Sequence, residues 1–157
     1  MNAPFMLLGD KDMFIEISEQ EFLSFGNNPI VYIGIYELNW LMDDNLLDCA
    51  GIIVAFEKEK ILITSKKLNE DDFDFVYYKF PEEYECRKIL SSFEEPIHFI
   101  RKESEENCYR YLRFQIGNRP IFVTAYEDEW IDVGLSHWDI NDEWIDFEND
   151  NLLNDRP

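Results

Sequence analysis

The order of apolar and polar positions predicts strands through most of the first half of the chain. Residues 13–17 alternate between the two types, as a short half-buried strand does. Residues 30–36 are β-branched and aromatic, which is typical of a buried strand. Two apolar runs, 52–56 and 61–64, flank four charged residues and predict a hairpin with a charged turn. Residues 73–80 follow an acidic loop and predict one more strand.

Two segments carry helix signals, and a third is ambiguous. Residues 18–21 have the S-x-x-E form of a capping box and predict a short helix to about Phe25. Pro81 and the two glutamates after it predict the start of an amphipathic helix, which Pro96 limits. Residues 37–48 mix leucines, acids and one tryptophan, and they predict a loop or a short helix.

The second half of the chain returns to strand patterns. Residues 97–102 predict a short strand, and residues 108–116 predict another in which aromatic and basic positions alternate. A turn over 117–120 precedes a return strand over 121–126. Residues 130–133 either continue that strand past a kink or form a separate one.

These elements fit one domain with a packed core, because the chain has 157 residues, of which 46% are hydrophobic and 16% aromatic. We expect an α+β fold over residues 1–147, a mainly antiparallel sheet with one to three helices. Residues 148–157 form an acidic tail, whose order the pattern leaves open. The three cysteines lack any C-x-x-C spacing, which argues against a disulfide framework or a zinc ribbon. With neither a membrane-spanning run nor a signal peptide in the pattern, we expect a cytoplasmic protein.

The distribution of charge along the chain restricts the class of partner that the protein can bind. The formal net charge is −20, of which residues 1–57 carry −9, residues 58–119 carry −1 and residues 126–157 carry −10. Phosphates attract clusters of Lys and Arg, so we expect no direct binding to nucleic acid or to a membrane. The expected partner is a basic protein or a cation, and the alternative explanation for the charge is solubility alone.

The pentapeptide Asp-Glu-Trp-Ile-Asp occurs twice near the C-terminus, 14 residues apart. The two copies hold six of the eleven acids in residues 126–157, and each surrounds an indole with three carboxylates. Such a surface suits a basic partner, because the charges attract it and the tryptophan can anchor in a pocket. The alternative is that the tryptophans pack onto the domain while the carboxylates stay in water. The predicted partner-binding residues, with two that lie between the copies, are Asp128, Glu129, Trp130, Asp132, Trp138, Asp139, Asp142, Glu143, Trp144 and Asp146.

Candidate catalytic chemistry is sparse. His98 lies among apolar residues and predicts a core or sheet-face side chain. His137 is followed by several acids, so a metal-dependent enzyme built on His137 and these carboxylates is one alternative. No nucleophile elbow, P-loop, dinucleotide-binding or H-E-x-x-H motif occurs. We therefore expect a binding protein rather than an enzyme, with no catalytic residue, no metal and no cofactor.

In overall character the chain resembles bacterial immunity proteins, the cytoplasmic inhibitors that protect a cell from polymorphic or contact-dependent growth-inhibition toxins. The features that carry the resemblance are small size, strong negative charge, many aromatic residues and the lack of a catalytic motif. The resemblance implies that the partner is a basic toxin domain, commonly a nuclease. A second alternative is a DNA-mimicking or anti-defence protein, whose carboxylates imitate the phosphate backbone and occupy a nucleic-acid-binding protein.

The acidic-face hypothesis predicts the effect of removing charge without changing shape. Replacing Asp128, Glu129, Asp142 and Glu143 by Asn or Gln should slow association with a basic toxin domain and leave the fold intact, because electrostatic steering acts mainly on the association rate. Stopped-flow association rates at several salt concentrations measure this effect, and circular dichroism checks the fold. An unchanged rate with an unchanged salt dependence would contradict the hypothesis.

Overall fold

The computed structural model describes residues 14–42, 46–70, 72–79, 88–90, 96–104, 110–117, 119–127, 130–134 and 153–155. Almost all of these residues lie in strands, and the one helix among them, α1, covers Glu19–Phe25. The strands are β1 (Ile15–Ile17), β2 (Ile30–Met42), β3 (Leu46–Phe56), β4 (Lys60–Asn69), β5 (Asp72–Lys79), β6 (Lys88–Leu90), β7 (Ile97–Ser104), β8 (Arg110–Ile116), β9 (Arg119–Glu127), β10 (Trp130–Gly134) and β11 (Leu153–Asp155).

Six of the strands close into a barrel in the order β3-β10-β9-β8-β7-β2, with β2 pairing back to β3. Every adjacent pair in the ring is antiparallel, and β7 joins β2 at a single residue pair, Ile30 with Ile97. Strands β4, β5 and β1 extend from β3 as a second arm of the sheet, which we call the wing. On the other side, β6 pairs with β2, and β11 pairs with β6.

The prediction of an α+β fold with a mainly open sheet is wrong, because the structure is a mostly-β closed barrel with a single short helix among the described residues. The sheet closes because β3 has partners along both of its edges. It pairs with β2 along one edge, and along the other it pairs with β10 through Leu46 to Cys49 and with β4 through Gly51 to Ala55.

Two local predictions also fail, the first because two neighbouring segments pair as a hairpin and the second because of pairing with distant strands. Residues 37–42 and 46–48, predicted as a loop or short helix, belong to β2 and β3, which pair with each other. Lys88–Leu90, predicted within the second helix, form strand β6 between β2 and β11. The rest of that predicted helix lies outside the described residues. Strand β11 falls within the acidic segment 148–157.

Most other predictions of local structure are confirmed. Strands β1, β5, β7, β8 and β9 fall on their predicted segments, and β3 and β4 form the predicted hairpin. Strand β10 is a separate strand rather than a continuation of β9. The predicted helix is confirmed with Ser18 as its N-cap, because the backbone N–H of Glu21 donates to the side chain of Ser18 over 3.1 Å.

The core lies inside the ring and under the wing, and α1 covers it at one side. Phe22 of α1 is fully buried, stacks on Tyr77 of β5 at 4.7 Å between ring centroids, and meets Phe99 of β7 edge-on at 5.3 Å. One helical side chain therefore contacts both the wing and the barrel, which explains why a seven-residue helix is held in place. No helix among the described residues is long and apolar enough to cross a membrane.

A cluster of ion pairs joins the wing and α1 to the barrel along one line, which we call the charged seam. Lys102 of β7 lies 2.6 Å from Glu19 and 2.7 Å from Asp74. Arg110 of β8 lies 2.5 Å from Asp72 and donates to the carbonyl of Phe73 over 2.8 Å. Neighbouring carboxylates, Asp72 first among them, raise the pKa of Arg110 above its usual value. These bases are thus already paired within the fold.

The central position of Phe22 gives a direct stability test. Phe22→Ala should lower the free energy of unfolding by about 3–5 kcal/mol, because it leaves a cavity between α1, β5 and β7. The matched control is Val31→Ala, whose side chain is 61% exposed and should change stability by less than about 1 kcal/mol. Urea denaturation measures both variants, and equal losses would contradict this account of the core.

Candidate functional site

The hairpin of β9 and β10 carries the first copy of the repeated pentapeptide. Of the ten predicted partner-binding residues, the structure describes Trp130 and Asp132. The remaining eight lie outside the described residues, and they are Asp128, Glu129, Trp138, Asp139, Asp142, Glu143, Trp144 and Asp146.

A bulge interrupts this hairpin next to Trp130. Trp130 stands opposite Glu127, whereas Ile131 stands opposite Ala125, so β9 contains one extra residue, Tyr126, at this point. An extra residue of this kind bends the strand and increases its local twist. Beyond the bulge the alternation is regular, with Ile131 and Val133 fully buried in the barrel core.

The backbone of Trp130 is fixed from β4 by one buried hydroxyl, that of Ser65. The N–H of Trp130 donates to Ser65 Oγ over 3.0 Å. The Ser65 hydroxyl contacts the carbonyl of Trp130 at 2.9 Å and the carbonyl of Glu127, and with one proton it donates to one of them at a time. This single side chain therefore satisfies backbone groups on both strands of the hairpin.

Ser65 reaches the hairpin because β4 leaves β3 at this point. Gly51 pairs with Thr64 as the last contact of β3 with β4, and Cys49 already pairs with β10. The Thr64 hydroxyl donates to the carbonyl of Ala50 over 2.6 Å. A Cβ at Gly51 would lie 2.7 Å from the carbonyl oxygen of Ile63, so only glycine permits this close approach.

The Trp130 side chain is half exposed, at 38%. Its ring meets that of Tyr126 at 5.8 Å between centroids and 64° between planes, which is an edge-to-face arrangement. Its indole N–H, the only hydrogen-bonding group of the side chain, interacts with the carboxyl group of Asp132. We call the surface formed by Tyr126, exposed Glu127 and Trp130 the hairpin corner.

Two carboxyl groups are buried beneath the hairpin corner. Asp132 of β10 and Asp48 of β3 stand directly opposite each other, and each is 5% exposed. Burial, followed by the hydrogen bond and the repulsion from Asp48, raises the pKa of Asp132 to about 9, while its bond to Trp130 acts in the opposite direction. Asp132 therefore holds a proton at neutral pH. Its Oδ1 atom has no hydrogen-bond partner within the part of the chain that is described.

The first pentapeptide copy is thus divided between surface and interior. Trp130 is half exposed, whereas Ile131 and Asp132 are buried, so the Asp132 carboxyl group does not lie on the surface. Its predicted contact with a partner stays a prediction, and its observed contacts are with Asp48 and Trp130. Sequence reasoning did not identify Asp48, Ser65 or Tyr126, because pairing across distant strands is what brings them to Trp130.

Cysteine and histidine side chains offer little further candidate chemistry among the described residues. Cys49 is a fully buried free cysteine, and burial raises the pKa of its thiol, as does repulsion from the two nearby aspartates, so the reactive thiolate is disfavoured. His98 is an exposed side chain on the face of β7, while His137 lies outside the described residues. No group of three metal-ligating side chains occurs among the residues that are described.

A cavity of about 540 Å³ lies beside the charged seam, between α1, β7 and β8. Leu23 and Phe99 form its apolar lining, and Lys102 and Arg110 contribute charge. Both cations are already bonded to carboxylates of α1 or β5. Arg101 also lines the cavity, and it too interacts within the chain.

Comparison with known proteins assigns no family to this barrel. The sequence matches no protein-family model, and neither a curated protein nor a solved structure matches it. The description of the site therefore rests on its own geometry: a half-exposed tryptophan fixed by a serine, an acidic residue beside it, and a buried carboxyl pair beneath.

The buried pair predicts a pH dependence of stability. The pKa of Asp132 is raised in the folded protein from 3.8 to about 9. Its carboxyl group therefore stabilises the fold fully below about pH 4, and this stabilisation is lost as pH rises towards 9. Asp132→Asn cannot ionise, so its stability relative to the parent should increase with pH over that range, by at most about 1.4 kcal/mol per pH unit.

Urea denaturation at a series of pH values measures this difference. The matched control is Glu127→Gln, which removes one carboxylate from an exposed position on the neighbouring strand β9. The control should follow the parent protein. If Asp132→Asn also followed the parent at every pH, Asp132 would not be the protonated, buried group described above.

Proposed function

We propose that this chain is an immunity-type inhibitor, which binds and neutralises a basic toxin domain through an acidic, tryptophan-containing face centred on the hairpin corner. The observation that carries the proposal is the state of Trp130, which is half exposed while its backbone and its indole N–H are both held from within the fold. The contacts within the fold use the backbone and the N–H of Trp130. The exposed part of its ring is therefore left to act as an anchor for a partner.

A fixed anchor is what a tight interface needs. Tryptophan is enriched among the residues that contribute most to binding free energy, because it buries a large area and has few rotatable bonds. Ser65 and Asp132 restrict Trp130 further, so little conformational entropy is left to lose when a partner covers it.

The distribution of charge supports a cationic partner. Glu127, Asp128 and Glu129 are consecutive acids in the sequence between Tyr126 and Trp130. The bases of the charged seam are bonded to carboxylates of the same chain, and so is Lys79, which lies 3.6 Å from Glu21 and 3.8 Å from Glu59. Because these bases are used inside the fold, they do not neutralise acids elsewhere on the surface. The net charge of −20 then steers a positively charged protein towards the hairpin corner.

Toxin neutralisation can be tested in cells before the interface is mapped. The toxin domain encoded next to the gene for this chain is expressed in bacteria alone and together with this chain. We expect growth arrest with the toxin alone and restored growth with both, and a stable complex on size-exclusion chromatography. The absence of a toxin gene at that position, or growth arrest that this chain does not relieve, would refute the proposal.

Trp130 should dominate the affinity of the complex. Trp130→Ala is expected to weaken binding by about 2 kcal/mol or more. It should also lower the melting temperature, because it removes the contact with Tyr126 and the bond to Asp132. Isothermal titration calorimetry with the purified toxin domain measures the loss. Leu68→Ala, at a 47% exposed position on β4, is the matched control and should leave affinity unchanged. Equal affinities for the two variants would remove Trp130 from the interface.

A further inference from the structure

We propose that the hairpin corner is a receptor for one arginine side chain of the basic partner, whose guanidinium group lies on the exposed face of Trp130 and hydrogen bonds to the carboxylate of Glu127. The inference rests on the proposed function for the nature of the partner, and it adds the chemistry by which that partner is recognised.

The first support is the direction of the indole N–H. Because it is engaged with Asp132 in the interior, the exposed part of Trp130 offers carbon atoms and the ring face, with no hydrogen-bond donor. The face of an aromatic ring carries partial negative charge, so it attracts a cation and repels an anion. The exposed surface of this tryptophan is therefore selective for an apolar or a cationic group.

The second support is the carboxylate beside the ring. Glu127 stands directly opposite Trp130 across the hairpin, and directly opposed residues project from the same face of a sheet. Both side chains are exposed, and the Tyr126 ring stands at 64° to the indole next to them. A cation placed on the indole is thus within reach of a carboxylate, which selects a cationic group over an apolar one.

The third support is a contrast within the chain. Two other aromatic rings already carry a cation, since Arg113 lies over Phe122 at 5.4 Å and Lys79 lies over Phe25 at 5.9 Å. Among the described residues no cation lies over Trp130. The same kind of contact is the one we propose between Trp130 and a cation from another molecule.

Arginine fits this corner better than lysine does. The guanidinium group is flat, so it can stack on the indole while its N–H groups point sideways to a carboxylate in a bidentate pair. An ammonium group is more strongly hydrated and has no flat face, so it cannot make both contacts with the same geometry.

Nuclear magnetic resonance titration with small probes tests the corner without any toxin. The probes are N-acetyl-arginine amide, N-acetyl-lysine amide and N-acetyl-citrulline amide, the last having a similar shape but no charge. We expect the arginine probe to shift the Trp130 and Tyr126 signals with weak affinity, of the order of millimolar or weaker, and to bind several-fold more tightly than the lysine probe. The citrulline probe should cause no comparable shift.

Two substitutions measure separately what the Trp130 ring and the Glu127 carboxylate contribute to binding of the arginine probe. Trp130→Leu should abolish the response at Tyr126, and Glu127→Gln should weaken the arginine probe several-fold while leaving Trp130 in place. Glu57→Gln, an exposed acid in the turn between β3 and β4, is the charge-matched control and should leave the response unchanged. Equal weakening by both glutamate variants would mean that only general electrostatic attraction acts.

The outcomes distinguish this inference from the proposed function. No response to arginine, or an equal response to lysine or citrulline, overturns the arginine receptor and leaves the toxin co-expression result untouched. A selective arginine response that requires both Trp130 and Glu127 supports the inference.

Discussion

Strand β3 is paired along both edges for most of its length, and on one edge it changes partner from β4 to β10 near Gly51. Each part of the candidate site depends on this change. Where β4 departs, its Ser65 hydroxyl meets the backbone of the β9–β10 hairpin. Where β10 arrives, Asp132 is brought opposite Asp48. The same exchange closes the barrel on one side and frees β4 and β5 to form the wing above the core.

The position of Trp130 follows from polar groups that the fold buries at some cost. A buried carboxyl pair is unfavourable unless one member holds a proton, and the raised pKa of Asp132 shows that this condition is met at neutral pH. In return, Asp132 engages the indole N–H, and Ser65 contacts the backbone on both strands of the hairpin. Burying Asp48, Asp132 and Ser65 costs stability, and the same buried groups hold the half-exposed Trp130 in place.

Charge is organised by the same architecture. Bases from the nearly neutral middle of the sequence meet acids from α1, β5 and the β3–β4 turn, and the pairs made by Lys102 and Arg110 hold α1 and the wing against the barrel. Cations used in this way cannot offset the acids of the hairpin and the C-terminal segment. The result is a molecule whose attraction for a basic partner comes from its net excess of acidic side chains.

The amino-acid sequence by itself determined the local elements and the overall charge. The capping box of α1, the β3–β4 hairpin and the strands of the second half follow from patterns within a few residues, and these were predictable for that reason. Trp130 and the acids around it were also identified, because the repeat is visible in the sequence. Only the tertiary structure decided the closure of the barrel, the strand character of residues 37–42 and 88–90, and the burial of Asp132. The barrel closure, the strand at residues 88–90 and the burial of Asp132 arise from pairing between segments far apart in the chain, such as Asp48 with Asp132, and no local pattern encodes which distant strands will meet. Residues 37–42 instead pair with the neighbouring residues 46–49, and their mixture of leucines, acids and tryptophan lacks the alternation that would have predicted this hairpin.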